Sequence, residues 1–361
     1  MNKLTIFTGT LSHGGSERVI SILTEAFIEK YDSVEIILFY DLPIWYKINE
    51  KVKIINISDK INGKENILSK ALWLRKYIKS DKPDVFISFL APFNIFSNIV
   101  LAGIKIPKIV AERNDPRHIP QNKYLRGIRN FIYNFTNKII VQTQNNKIYF
   151  NESIQDKISI IHNPVSIGEY SGKALITKKK RKIVTVGRLI KQKNQKMLIE
   201  AFKRILVSYE DYQLIIYGEG EMRGELNQLI KLYNLENNIK LVGAKENILE
   251  HLLDAELFVL TSDFEGMPNA LIEAMCLGLP CISTKVSGAV DLIESGVNGI
   301  LIDKNDVSAL EKSIRELLDN KELAYNLGKN ATFIESKLSI DNISEQWINE
   351  INKCICENYS R

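Results

Sequence analysis

Glu265 and Glu273 have seven residues between them in the run Ser262-Asp263-Phe264-Glu265-Gly266-Met267-Pro268-Asn269-Ala270-Leu271-Ile272-Glu273-Ala274-Met275. Carboxylates accept hydrogen bonds from sugar hydroxyls, and two of them spaced this way serve different places along one element. Pro268 suits the first position of a helix, which sets Glu265 in the turn before it and Glu273 more than a turn inside. The N–H groups of Asn269, Ala270 and Leu271 are then the open donors of a helix N-terminus, a ready seat for a phosphate. Taken alone, this spacing more often marks two solvated glutamates on a helix surface, so the surrounding motifs must decide.

Those motifs begin upstream. Gly187-Arg188-Leu189-Ile190-Lys191-Gln192-Lys193-Asn194 follows a β-branched run, so Arg188 and Lys193 fall at a strand's carboxyl end. Arg188 offers a planar fork of donors and Lys193 a compact charge, and together they could hold a pyrophosphate from two sides. Near the N-terminus, Gly14-Gly15-Ser16 follows the first strand, and glycines there let backbone N–H groups come close to a ligand. Arg113 and Asn114 end another strand, in Ala111-Glu112-Arg113-Asn114-Asp115-Pro116. Arg113 stays protonated and cannot act as a general base; contact with donor phosphate or sugar and a buried ion pair with Glu112 or Asp115 are both open to it. His13 beside the glycine turn reads as a loop histidine rather than a base, and His118, His162 and His251 lack metal-ligand spacing. Gly218-Glu219-Gly220 with Gly224 only superficially suggests a dinucleotide fingerprint, and a strand-to-helix turn is the better reading.

The elements that must position these residues follow from periodicity. Short β-branched runs alternate with longer amphipathic stretches, the mark of parallel sheets covered by helices on both faces. Strands are expected at 4–8, 34–39, 52–55, 85–89, 108–111, 138–141 and 158–161, with a helix at about 16–30. The cycle restarts at 183–186, 213–217, 239–242, 257–260 and 281–283, with helices from Asn194, Glu221 and Pro268. Two doubly wound units result, facing each other across a cleft. Residues 1–165 form the first, 166–180 read as a linker ending in the solvated run Lys178-Lys179-Lys180-Arg181-Lys182, and 181–339 form the second.

In this order, Gly14-Gly15-Ser16-Glu17-Arg18, Gly187-Arg188-Leu189 with Lys193, Gly218-Glu219-Gly220, Glu265-Gly266-Met267-Pro268 with Glu273-Ala274-Met275, and Gly278-Leu279-Pro280 resemble the GT-B glycosyltransferases of the glycogen-synthase-like group, family 4. Ser287-Gly288-Ala289-Val290-Asp291 and Asn298-Gly299 match the family's closing signature. The resemblance implies a retaining transfer from a nucleotide sugar, UDP-linked by family preference, with the donor in the C-terminal unit and the acceptor in the N-terminal one. It implies that Arg188 and Lys193 bind the diphosphate and steady the leaving nucleotide and that Glu265 holds the donor sugar. Glu273 would bind the ribose, with Gly15, Arg113, Asn114, Gly266, Met267, Asn269, Ala270 and Leu271 around the donor and Gly14, Gly15 and Ser16 as the acceptor or phosphate loop. No metal and no cofactor are implied, in keeping with the absence of Asp-x-Asp. A helix from Ile340 is implied to return to the first unit. Where relatives carry histidine after a glutamate, this chain has Arg113, which a front-face mechanism tolerates because a donor phosphate oxygen takes the acceptor proton.

Composition narrows the partners. Of 361 residues, 45% are hydrophobic and 25% charged, enough for two packed cores, and no apolar run reaches the roughly 20 residues that span a bilayer. The N-terminal run is too short for a signal peptide, so the chain is expected in the cytoplasm or at the inner face of the cell membrane. Four cysteines in so long a chain read as reduced structural thiols. The net charge of +5 divides into +7 for residues 1–170 and −2 for the rest. A basic half permits nucleic acid, an anionic membrane or an acidic substrate. No nucleic-acid module is recognisable. Residues 121–138 suggest a helix with Tyr124, Leu125, Ile128, Phe131, Ile132 and Phe135 on one stripe and Lys123, Arg126 and Arg129 mainly opposite. That stripe is read as covering the sheet, with an anionic membrane as the alternative; Ile67 to Lys79 poses the same choice. By analogy the acceptor is a lipid-linked or growing oligosaccharide of a bacterial capsule or O-antigen. A non-catalytic sugar-nucleotide or lipid binder on the same fold is the rival reading.

Overall fold

The computed structural model describes residues 3–12, 14–61, 63 and 65–359. The chain divides into two units, Met1–Pro164 with Leu338–Arg361, and Val165–Lys337. In the first, β1 (Lys3–Thr8), β2 (Ser33–Leu38), β3 (Lys53–Asn56), β4 (Val85–Phe89), β5 (Lys108–Ala111), β6 (Lys138–Val141) and β7 (Ile158–Ile160) alternate with α1 (Gly15–Phe27), α2 (Ile67–Asp81), α3 (Ala91–Val100), α4 (Lys123–Ile132) and α5 (Gln144–Ile148). All neighbours are parallel, in the order β3-β2-β1-β4-β5-β6-β7. Every residue of β4 is buried, as a central parallel strand covered on both faces requires.

The second unit holds α6 (Lys173–Ile176), β8 (Lys182–Val186), α7 (Gln195–Ile205), β9 (Gln213–Tyr217), α8 (Arg223–Leu232), β10 (Ile239–Gly243), α9 (Ile248–Leu252), β11 (Leu257–Leu260), α10 (Asn269–Leu277), β12 (Cys281–Thr284), α11 (Ser287–Leu292), β13 (Ile300–Ile302), α12 (Val307–Asp319), α13 (Lys321–Ala331) and α14 (Ile334–Lys337). Its parallel sheet runs β10-β9-β8-β11-β12-β13. Strand order reverses between β1 and β4 in one sheet and between β8 and β11 in the other, and the loops beyond such a reversal are where open α/β sheets bind ligands. Both sheets have the doubly wound architecture read from the sequence.

A last helix, α15 (Ile340–Tyr359), belongs to the first unit. It packs on α1, and its fully buried Trp347 stacks on Phe89 of β4 with ring centroids 5.6 Å apart.

Several local expectations need correction. β13 was not read from the sequence, because three residues between turns carry too short a pattern. The stretch 166–180 is packed rather than a solvated linker: Ala174 is fully buried, Gly172 N–H donates to Cys276 O at 3.0 Å, and α6 lies against α10 and α13. The basic run behind it is anchored as well. Lys180 Nζ lies 2.9 Å from Asp254, Lys182 also pairs with Asp254, and Lys179 Nζ donates to Leu253 O at 3.1 Å, where burial pushes its pKa down to about 8. The helix expected over 121–138 spans only Lys123–Ile132 before a tighter turn at Tyr133–Phe135. Of its apolar stripe Tyr124, Leu125, Ile128, Phe131 and Phe135 are exposed and Ile132 is half-buried against the core, while Arg129 is the residue it buries.

Candidate active site

Beyond β8 the chain turns through Gly187–Leu189 and makes a single 3-10 turn, Lys191–Lys193, before Asn194 caps α7. Glycines make this turn possible. A Cβ on Gly187 would stand 3.3 Å from Lys193 Cε, so the lysine stem lies across it. Gly218 has φ +139°, and a Cβ there would collide with Gly187 O; one on Gly220 would collide with Leu189 O. The Gly218-Glu219-Gly220 turn is thus the bed on which the Gly187–Leu189 loop rests. The loop is held there by Gly187 N–H to Tyr217 O at 2.9 Å and Leu189 N–H to Glu219 O at 2.8 Å.

The loop after β11, the neighbouring strand at the reversal, is laced to that turn. Asp263 N–H donates to Gln192 O at 2.8 Å, Gln192 Nε2 to Phe264 O at 2.7 Å, and Thr261 Oγ1 to Lys193 O at 3.0 Å. These bonds bring Lys193 Nζ onto Glu265 Oε1, which also accepts from Ser262 Oγ at 2.8 Å. Thr284 Oγ1 on β12 fixes Ser262 from behind, donating to its carbonyl at 2.6 Å. Glu265 is 8% exposed and Glu273 is 4%, which excludes solvated surface glutamates. A carboxylate buried to this degree needs a cation and donors, and Lys193 with Ser262 supplies both. Arg188, at the same loop, is exposed, and its guanidinium has no partner among the described residues.

Helix α10 starts one residue later than expected, with Pro268 as N-cap rather than as first residue. Pro268 O accepts from Leu271 N–H at 3.1 Å and Ile272 N–H at 3.2 Å, so Leu271 is not among the open donors of this terminus. Gly266 and Met267 are buried, and Asn269 and Ala270 half-buried. The start of α11 packs directly on this turn, since a Cβ on Gly288 would lie 2.6 Å from both Gly266 O and Met267 Cα.

In the first unit, Gly14 caps α1 and Gly15 opens it, while Ser16 is half-buried. Gly14 is extended at φ −172°, so its place in the turn is not a matter of conformational freedom. Arg113 lies just beyond β5 and is buried, but neither proposed ion pair forms. Glu112 accepts from Tyr133 Oη and lies 3.8 Å from Arg129 Nε, and burial raises its pKa. Asp115 accepts from Arg117 N–H at 2.9 Å. Arg113 donates from Nη2 to Asn163 Oδ1, which also takes a bond from Gln142 Nε2 at 2.7 Å, while its Nε and Nη1 have no hydrogen-bond partner. Burial pushes the guanidinium pKa down to about 9. Asn114 is half-buried, and its carbonyl accepts from Asn146 Nδ2 at 3.3 Å.

The supporting residues Ser262, Gln192, Thr261, Thr284, Asn163 and Gln142 were missed from sequence. Only Ser262 carried a local signal, a hydroxyl three residues before Glu265 on a turn. His118 and His251 are exposed, and His162 Nδ1 lies 2.7 Å from Gln142 O; His13 lies outside the described residues. Among the described residues no group of three His, Cys, Asp or Glu could hold a metal ion. Cys276, Cys281 and Cys354 are buried, with burial pushing the Cys276 and Cys354 thiols up to about 12.

The family described as "Glycosyl transferases group 1" matches residues 166–332, nearly the whole of the second unit. The second unit is thus similar to this family along almost all of its length. Over nearly its full length the chain resembles a Campylobacter jejuni protein named GalNAc-alpha-(1->4)-GalNAc-alpha-(1->3)-diNAcBac-PP-undecaprenol alpha-1,4-N-acetyl-D-galactosaminyltransferase. The two are 28% identical over 355 residues, 96% of this chain and 98% of the other. The amylovoran biosynthesis glycosyltransferase AmsD of Erwinia amylovora is 24% identical, covering 97% of this chain and 99% of its own. Anabaena HepE, solved with UDP and glucose, shares the fold at a TM-score of 0.83 and 18% identity, over 98% of this chain and 100% of its own.

Proposed function

We propose that this glycosyltransferase takes a hexose or N-acetylhexosamine from a UDP-sugar bound by the second unit. It passes the sugar, with retention, to a lipid-linked or growing oligosaccharide at the inner face of a bacterial membrane, in surface polysaccharide synthesis. The observation that carries this reading is the pairing of half-buried Lys193 with buried Glu265 at the strand reversal, beside Arg188, unpartnered among the described residues, and the start of α10. The acceptor class is supported by the Campylobacter and Erwinia relatives, and the uridine nucleotide by the HepE complex.

In this reading Arg188 takes the diphosphate with two parallel donors, and Lys193 shares its charge between Glu265 and the phosphate as negative charge develops on the leaving nucleotide. Glu265 accepts from ring hydroxyls of the donor sugar, aided by the N–H groups of Gly266, Met267, Asn269 and Ala270. Glu273 accepts from the ribose. Gly15, Arg113 and Asn114 complete the donor contacts, and Gly14 and Ser16 the acceptor or phosphate loop. The bond from C1 to the phosphate oxygen breaks as the acceptor oxygen bonds to C1 on the same face, and the acceptor's proton leaves on the departing phosphate. Because the leaving group takes that proton, no side-chain base is needed. Cationic side chains and a helix N-terminus carry the charge a metal would otherwise balance, so the reaction is expected to run unchanged in EDTA.

Glu265→Ala and Lys193→Ala are each expected to lower turnover by about 10²-fold or more in protein that still unfolds cooperatively. Near-normal turnover in either folded variant would remove the pair from the chemistry.

A further inference from the structure

Helix α4 is turned the wrong way for a helix that covers a sheet. Ile132 at its end packs on the core, but the rest of its inward side is polar: Arg126 Nη1 donates to Pro120 O and Gln121 O at 2.9 and 2.8 Å. The fully buried Arg129 donates to Pro116 O and Ile119 O at 2.9 and 2.6 Å. These bonds satisfy the carbonyls of the 116–121 loop and fix the helix's rotation. The outward side is then Tyr124, Leu125, Ile128 and Phe131, continued by Phe135, all between 42% and 72% exposed. Single exposed apolar residues need no explanation, but five along one stripe do.

The chain around the stripe is basic, although Arg129 is buried near Glu112 and Lys138 pairs with Glu350. From Pro116 to Asn151 the chain holds six Lys and Arg and no Asp or Glu. Lys123 opens the stripe, with Nζ 5.3 Å from the Tyr124 ring centroid. Helices α2, α3 and α4 lie side by side on one face of the sheet. On the same outer side α2 exposes Ile67, Leu68 and Leu72 along with Lys76 and Lys79. An apolar stripe with the exposed Lys123 at its start and Lys76 and Lys79 on the neighbouring helix complements an anionic bilayer, which offers acyl depth to the rings and negative headgroups to the lysines at once.

We propose that the outer face of α4, extended by α2, docks the first unit on an anionic membrane surface, with Phe131 and Phe135 at the boundary of headgroup and acyl chain. This deepens the lipid-linked acceptor reading and rests on it for its purpose, while its test does not depend on transfer. The full chain is floated with vesicles of phosphatidylcholine alone and of phosphatidylcholine with phosphatidylglycerol at roughly 7:3. Binding is expected to the anionic vesicles, weakened severalfold by raising salt to about 0.5 M. The triple variant Ile128→Ser, Phe131→Ser, Phe135→Ser should bind about tenfold more weakly or worse, since it loses the apolar contacts. As all three side chains are exposed, it should keep the wild-type melting temperature and the same stabilisation by UDP. In the variant Phe131→Trp, the added indole emission should shift to the blue on anionic vesicles and be quenched by brominated acyl chains.

The proposal is overturned if the wild type ignores anionic vesicles, if the triple variant binds as well as the wild type, or if vesicles leave the added emission of Phe131→Trp unmoved. It is also overturned if light scattering finds, without vesicles, a dimer that the triple variant dissolves, for the stripe would then join two copies. Absence of UDP stabilisation alongside intact vesicle binding would count against the donor reading alone.

Discussion

A guanidinium buried away from any carboxylate is costly, and Arg113 is such a group. Its Nε and Nη1 have no partner, and Asn163 is a neutral acceptor. On the proposed reading, the group that completes it is an anion of the substrate. Arg113→Met is therefore expected to melt no lower than the wild type without ligand while losing at least about tenfold in turnover. A melting temperature several degrees lower with turnover kept would make Arg113 a structural strut instead. This environment was not legible in the sequence, which offered Glu112 and Asp115 as partners because they are adjacent; the actual partner is 50 residues away. Likewise the run from Ser262 to Met275 drew attention to Glu265, but nothing local says that Lys193, 72 residues upstream, reaches it. Local patterns name residue types, and only the strand order decides which loops meet.

At the scale of elements, the turn carrying Glu265 is set by what packs on it. Gly288, second in α11, lies against Gly266 and Met267, and the nearest atoms a Cβ would strike are backbone, which cannot swing aside. Gly288→Ala should cost about 1–3 kcal/mol in stability and lower turnover through displaced Glu265, measured by denaturant unfolding and a donor-saturated rate. A variant as stable and as fast as the wild type would show the turn to be more yielding than its contacts imply. Most strands were legible because buried parallel strands are near-continuous apolar runs, as at Val85–Phe89 and Leu257–Leu260. Periodicity also found the stripe of α4, but not its direction. A 3.6-residue repeat separates two faces without saying which one meets the protein, and here the loop carbonyls at Pro116 and Ile119 drew Arg129 inward.

Over the whole chain, two doubly wound sheets follow from the alternation of runs, and the ends of the units do not. Nothing in the pattern of Ile340–Tyr359 names the sheet it joins; the stacking of Trp347 on Phe89 does. Residues 166–180 looked like a linker for their glycines and charges, yet those charges bind Asp254 and backbone carbonyls. The central claim concerns the second unit, that the Arg188, Lys193 and Glu265 loops form a metal-independent site for a nucleoside diphosphate sugar. The most direct test is thermal unfolding in EDTA with UDP, GDP, ADP and CMP, on the wild type and Arg188→Ala. A ligand at 100 times its dissociation constant adds about 2.7 kcal/mol of stability, a readily measured shift. The account predicts a marked rise with UDP for the wild type and a much smaller one for Arg188→Ala. Folded wild type that no nucleotide stabilises would contradict it.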